Sequence, residues 1–391
     1  MYIANIEETI ISSQSQFVHA LIENSDTLGK RLSALHDRLL ETVPVVSRIA
    51  CALYDNHEDL LKTFINSTRE GSAIVNYEYK LSNSRSLSQL AASGNFRVLD
   101  DISQAIQSDN AHSVWLRQQG YQSSFTVPIY DQAGLMGFVF FDSMEKMAFT
   151  PEIQRDLVLY SNLISMAISS EVSVVHSMVD STRMAREIAE VRDFETGAHL
   201  ERMAEYSRMI AKVIAPQFGL DDEFVESIYL FAPLHDIGKI GIPDKILLKE
   251  AKLDAEERLI MNLHVEKGIE IIERIIGRGG MNRLPDSVML RNIVLCHHER
   301  MDGSGYPKGL RGEEIPLEAR IVAVADVFDA LTSTRPYKRT WSREEAFAEL
   351  SRMAQRGELD ADCIQALMQS AETIEDIRRR NSDAAESGGM L

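Results

Sequence analysis

The sequence predicts an α+β domain built on an antiparallel sheet, joined by one long helix to an all-helical domain. Three observations predict it. Short β-patterned runs separated by turn residues fill roughly the first 145 residues. A stretch starting at Phe149 then runs to Asp193 with a single proline, Pro151, and no glycine. Beyond it the apolar spacing is helical almost to the end, and histidines and aspartates gather there.

The elements follow in order. Phe17, Leu21, Leu28, Leu32, Leu35 and Leu39 recur at helical spacing, which predicts a helix over residues 12–41. SRIACALYD (47–55) and LLKTFINS (60–67) read as strands about the turn-rich DNHED. YQSSFTVPIY (121–130) and LMGFVFFDS (135–143) flank DQAG, a hairpin connection. Short helices are expected at 84–92 and 111–119, so residues 1–149 form the first domain. Thr150 can cap the long helix with Pro151 at its first position. Ile153, Leu157, Tyr160, Ile164, Ile168, Val172, Val175 and Val179 make a near-heptad seam over residues 150–192. A seam this long needs a partner. The bland reading is packing within its own chain; the sharper one, adopted here, is a parallel homodimer. Residues 193–378 form the helical domain, and the tail 379–391 lacks core residues and is expected to be disordered.

Composition narrows the function. With 391 residues, 45% hydrophobic and 26% charged, the chain is an ordinary globular protein with real cores. No apolar run approaches the roughly 20 residues that span a bilayer, and MYIANIEETIISSQSQ has no basic start of a secretory signal. Cys51, Cys296 and Cys363 form no CxxC pair, which fits a reduced, cytoplasmic protein. A net charge of −18 speaks against nucleic acid as partner. An anionic substrate would have to be drawn in by bound metal or by a few aimed Arg and Lys side chains.

Five of the ten histidines, His199, His235, His264, His297 and His298, stand near Glu195, Asp236 and Asp326 or in motif-like settings. Glu195 and His199, four apart, share one face of a helix. Imidazole and carboxylate without thiolate suit Fe, Mn, Ni or Zn in a catalytic setting. Eight candidate ligands are too many for one ion and fit two or three, the usual device for phosphoester hydrolysis. His19, His36, His57, His112 and His176 lack that spacing and are assigned to surface or core, and Cys296 to a buried small residue.

HDIGKIGIPDKIL, then His264, then HHERMDGSGYPKGLRGEEIP and ARIVAVADVFDALTSTRPYK resemble the HD-GYP family of the HD phosphohydrolases, over about residues 181–378. The resemblance implies an all-helical fold and a bacterial phosphodiesterase that opens cyclic di-GMP to pGpG and often on to GMP. Cyclic GMP-AMP preference, or an inactive dinucleotide receptor, are the alternatives. It implies His199, His235, Asp236, His264, His297, His298 and Asp326 as metal ligands, Asp236 bridging, and Glu195 as ligand to a third ion. Iron is the metal most implied, with manganese second. Lys239 would stabilise charge at the reacting phosphate, and Arg335 and Lys338 would grip substrate phosphate. The GYP loop would shape the entrance and touch partner proteins, with Tyr306 structural and Glu299 and Asp302 fixing the loop or supporting ligands. EAKL (250–253) departs from the Pro-Gly that family members often carry there. The N-terminal domain resembles a GAF sensory module, with a PAS-like module as the alternative; it shows no bilin-attaching cysteine, and His112 is weak as a haem ligand.

Overall fold

The computed structural model describes residues 27–56, 58–105, 111–131, 134–188, 197–249, 251–278, 287–333 and 340–381, without the side chains of 111–113, 171, 173–188, 275–278 and 287. The chain divides into two compact units, Met1–Val172 and Ser173–Leu391.

The first unit is a six-stranded antiparallel sheet with flanking helices. Helix α1 (Leu28–Leu40) precedes strands β1 (Arg48–Asp55), β2 (Leu60–Thr68) and β3 (Glu78–Lys80). Then come α2 (Arg85–Ser93), β4 (Arg97–Leu99), α3 (Ile102–Ala105), α4 (Ala111–Gln119), β5 (Ser123–Asp131) and β6 (Gly134–Ser143). The spatial order is β3-β2-β1-β6-β5-β4. The four long strands and the helices at 84–92 and 111–119 match expectation. The edge strands β3 and β4 escape sequence reading because three residues are too few to show alternation. Thr27 leaves the helical region and its side chain accepts from Lys30 N, which caps α1 there; residues 12–26 of the predicted helix lie outside the described residues.

The two faces of the sheet differ in chemistry. Ile49, Phe64, Phe125, Val139 and Phe141 pack with Leu32, Leu35 and Leu39 of α1 in one apolar core. The other face carries Arg48, Ser124, Thr126 and Asp142, all buried. Strand register sets these together, with Arg48 opposite Asp142 and Asp142 opposite Ser124.

Helix α5 runs from Pro151 to Ile188. Its seam is not free for a second copy over its first half: Leu157, Ile164 and Ile168 are buried in the apolar core of the first unit. This corrects the expectation that those residues pair across a dimer axis. An apolar stripe reports that a face is covered, not what covers it. The side chains of Val175 and Val179 lie outside the described residues.

The second unit is all helical: α6 (Gly197–Phe218), α7 (Asp222–Phe231), α8 (Asp244–Leu247), α9 (Ala255–Asn262), α10 (His264–Arg278) and α11 (Ser287–Cys296). It continues through α12 (Leu317–Thr332), α13 (Arg343–Gln355), α14 (Ala361–Gln369) and α15 (Ala371–Arg380). Two 3₁₀ turns, Ala232–Leu234 and Ile237–Gly241, bracket His235 and Asp236. Helix α12 packs on α6 and α11, and α10 on the second turn. Val322, Val324, Ala325 and Phe328 of α12 are buried in this core with Tyr206 and Ile210 of α6. No helix among the described residues is long and apolar enough to cross a membrane.

Because Ile164 fills the core of the first unit, Ile164→Ala should lower its stability by about 2–5 kcal/mol. Denaturant unfolding of the full chain should show an earlier first transition. An unchanged transition would mean that this face is covered by something other than its own chain.

Candidate metal centre

Five helices and turns deliver the polar cluster. His199 sits in the first turn of α6, His235 and Asp236 lie between the 3₁₀ turns, and His264 starts α10. His297 and His298 follow the last residue of α11, and Asp326 lies on α12. Two sets of ligand atoms result. Asp236, His264, His297 and His298 form one, and His199, His235 and Asp326 the other, with the atoms of each set within 4.8 Å of one another.

Glycine makes this convergence possible. A Cβ on Gly238 would lie 1.8 Å from the carbonyl oxygen of His264 and 2.4 Å from Gly268 N. Only a residue without one lets the turn after Asp236 press against the start of α10. Gly305 plays the same part in the loop after the paired histidines, where a Cβ would come within 2.5 Å of the Glu299 backbone.

Asp236 is the hub. Its Oδ1 lies 3.0 Å from His264 Nε2 and 3.5 Å from His297 Nε2; its Oδ2 lies 3.3 Å from His235 Nε2. Lys239 Nζ is 2.7 Å from the same Oδ2. The carboxylate therefore turns one oxygen to each set, as a bridging carboxylate must. Burial opposes its ionisation, but Lys239 and then His235 outweigh burial and hold the carboxyl well below the usual range.

The tautomers follow from the other ring nitrogens. His235 Nδ1 lies 2.8 Å from Ala232 O, His264 Nδ1 2.9 Å from Met261 O, and His297 Nδ1 3.0 Å from Ile293 O. A carbonyl only accepts, so each Nδ1 donates and each neutral ring presents a lone pair at Nε2. Burial, ahead of its charged neighbours, pushes His297 below its ordinary range, and burial and then His297 push His298 well below it. The buried atoms His264 Nε2, His297 Nε2 and Asp236 Oδ1 make no hydrogen bond. Acceptor lone pairs converging in a buried site repel each other unless a cation lies among them. The donor set, imidazole with carboxylate and no thiolate, fits paired transition-metal ions.

Sequence reasoning missed two supporting residues. Asp329 Oδ2 is 2.7 Å from His199 Nδ1, and Arg202 grips Asp329 with Nε at 2.6 Å from Oδ1 and a second nitrogen at 3.1 Å from Oδ2. Arg202 also donates to Ser333 Oγ and to the carbonyl of Asn381. Burial resists ionisation of Asp329, but His199 and Arg202 outweigh it and hold the carboxyl far below the usual range. Arg202 is one turn past His199 and Asp329 one turn past Asp326, but the spacing alone does not say that the two helices pack together.

The loop after the histidines is held as expected. Both Glu299 oxygens accept backbone N–H groups, from Lys308 at 2.7 Å and Leu310 at 3.0 Å, and Asp302 accepts from Ser304 N. The Tyr306 ring lies 4.9 Å from that of His298, and burial raises its phenol above the ordinary value, so it is a neutral wall. Cys296 is buried in an apolar cluster with Ile315 and Ala319 and belongs to neither set of ligand atoms, and burial pushes its thiol up to about 11. His36 is a core histidine between Ser67 Oγ and Val46 O. Glu195, Arg335 and Lys338 lie outside the described residues.

Residues 183–363 match the family described as HD domain. "Cyclic di-GMP phosphodiesterase response regulator RpfG" of Xanthomonas campestris pv. campestris is 49% identical over 210 residues, 54% of this chain and 52% of that protein. "3'3'-cGAMP-specific phosphodiesterase 2" of Vibrio cholerae is 43% identical over 190 residues, 47% of this chain and 34% of that protein. The chain thus spans about half or less of the length of these curated relatives. In the first unit, the GAF domain of an Acinetobacter phosphoenolpyruvate-protein phosphotransferase overlaps 42% of this chain and 95% of its own, at 14% identity and TM-score 0.33.

Removing a partner that orients a metal-binding histidine typically weakens metal binding about 10–100-fold. Asp329→Asn should do so here, read by metal titration of protein whose far-UV circular dichroism is unchanged. Unaltered affinity in a folded variant would separate Asp329 from the centre.

Proposed function

We propose that the helical domain hydrolyses the phosphodiester bonds of a cyclic dinucleotide, cyclic di-GMP foremost, to pGpG and onward to GMP. The observation that carries this is the convergence of two sets of ligand atoms on the two oxygens of Asp236. The printed names of the relatives support the reaction class and include both cyclic di-GMP and 3'3'-cGAMP enzymes.

His199, His235, Asp236, His264, His297, His298 and Asp326 would hold two ions, with Asp236 between them, and Glu195 would help hold a third. Iron is the first choice of metal and manganese the second. Such ions, when bound, supply Lewis acidity for activating water and neutralising phosphate charge. The remaining roles belong to the chain. The fixed Nδ1–H tautomers of His235, His264 and His297 keep every Nε2 aimed inward without reorganisation. Lys239, partly exposed beside Asp236, presents its ammonium to the phosphate being cleaved and stabilises charge as it builds up. Arg335 and Lys338 hold the distal phosphate. Tyr306 and the glycine-rich loop wall the entrance and offer a surface for partner proteins. The first unit acts as a GAF-like sensor in a cytoplasmic enzyme, and the chain forms a homodimer through residues 150–192, beyond the half of that helix already covered.

Anaerobically purified protein, given cyclic di-GMP and 3',3'-cyclic GMP-AMP separately, should yield linear products on chromatography, faster from cyclic di-GMP. No product from either would leave a receptor as the reading. Faster opening of the hybrid would reassign the substrate.

The cations should separate by kinetic signature. Lys239→Ala should lower kcat with metal content retained. Arg335→Ala and Lys338→Ala should raise KM about 10–100-fold, the worth of a charge-assisted phosphate contact. Equal KM in those variants would remove both residues from the substrate site.

A further inference from the structure

The first unit contains a cavity of about 470 Å³ on the polar face of its sheet. Its size is that of a small-molecule site. Its lining is unusual for a chain of net charge −18. Three arginines, Arg48, Arg85 and Arg97, line it with one acid, Asp142. That acid is taken: Arg48 donates to Asp142 at 2.5 Å, and both side chains are almost wholly buried. The Arg48 guanidinium also lies 4.8 Å from the centre of the Trp115 ring, which fixes its plane.

Arg97 is different. Its two terminal nitrogens donate to neutral hydroxyls, Ser86 Oγ at 2.8 Å and Thr126 Oγ1 at 3.1 Å. Among the described residues no carboxylate forms an ion pair with it. The Nε atoms of both Arg48 and Arg97 are buried and have no hydrogen-bond acceptor. A partly buried guanidinium whose Nε is buried without an acceptor and whose other nitrogens meet only hydroxyls is costly, because desolvation of the charge is not offset. Burial accordingly weakens its hold on its proton, with Asp142 opposing. Folding alone gives no reason to place this group there, since the opposite face of the same strands shows how they pack when only a core is needed. The rest of the lining mixes neutral polar side chains such as Ser84 and Ser124 with apolar and aromatic ones, Leu61, Phe140 and the parallel-stacked rings of Tyr77 and Tyr79, 6.3 Å apart.

We propose that this cavity binds a small organic anion, a carboxylate or phosphate joined to an aromatic body, with Arg97 as the partner of the charged group. The cation would be completed by the ligand, while the aromatic wall takes the body. Binding here is independent of what the helical domain hydrolyses, so either reading can fail without the other.

The test is calorimetry on the full chain, stripped of metal by chelation so that no anion is held at the histidine cluster. The probes are 1-naphthoate and 1-naphthyl phosphate, with neutral 1-naphthamide as control. At least one anion should bind about tenfold or more tightly than the amide, as expected of a charge-assisted contact. Which of the two does so separates a carboxylate ligand from a phosphate. Arg97→Gln should remove the preference and Arg97→Lys retain part of it. Ala52→Leu, which narrows the cavity and leaves every charge in place, should weaken the anion about tenfold and serves if the arginine variant does not fold. Amide binding as tight as both anions, or anion binding unchanged in Arg97→Gln or Ala52→Leu, would overturn the proposal.

Discussion

The second unit is organised around one carboxylate. Asp236 is placed where His264 and His297 meet its first oxygen and His235 and Lys239 its second. Lone pairs directed at one another in a buried space are unfavourable, and the fold nevertheless holds them there. It does so through backbone carbonyls that accept a hydrogen bond from the Nδ1–H of His235, His264 and His297, and through Gly238, whose missing side chain lets α10 approach the turn. The buried face of α12 and the Arg202–Asp329 grip on His199 help keep these side chains from relaxing apart.

The legible part of this arrangement and the illegible part have different physical origins. The ligand candidates could be read because imidazole and carboxylate in an ordered series of short motifs have few structural uses. The long strands were readable through their alternation. Arg202 and Asp329 were not, because charged residues on a helix face usually point to solvent, and only the packing of α6 on α12 shows that these two do not. The seam of α5 was readable as buried, but its partner was not. Leu157, Ile164 and Ile168 would show the same periodicity against a sheet or a second helix.

The sheet of the first unit makes the same point in another form. Alternation in β1, β5 and β6 identifies two faces but says nothing of their burial. Arg48, Ser124, Thr126 and Asp142 would be an ordinary wet face if the sheet were open on that side. Their burial turns an unremarkable pattern into a polar cavity. The two units thus hold their chemistry in opposite ways. One gathers acceptors that call for cations, and the other gathers guanidinium groups that call for an anion.

Asp236 joins the two sets of ligand atoms into a single centre. The most direct measurement is metal stoichiometry of anaerobically reconstituted Asp236→Asn beside His199→Ala and the parent chain, each checked for folding by circular dichroism. An amide replaces one donor oxygen and the charge, so Asp236→Asn should lose ions from both sets. His199→Ala should lose ions from its own set alone. Retention of about two ions per chain by folded Asp236→Asn would contradict the account, because the two sets would then bind metal without the carboxylate between them.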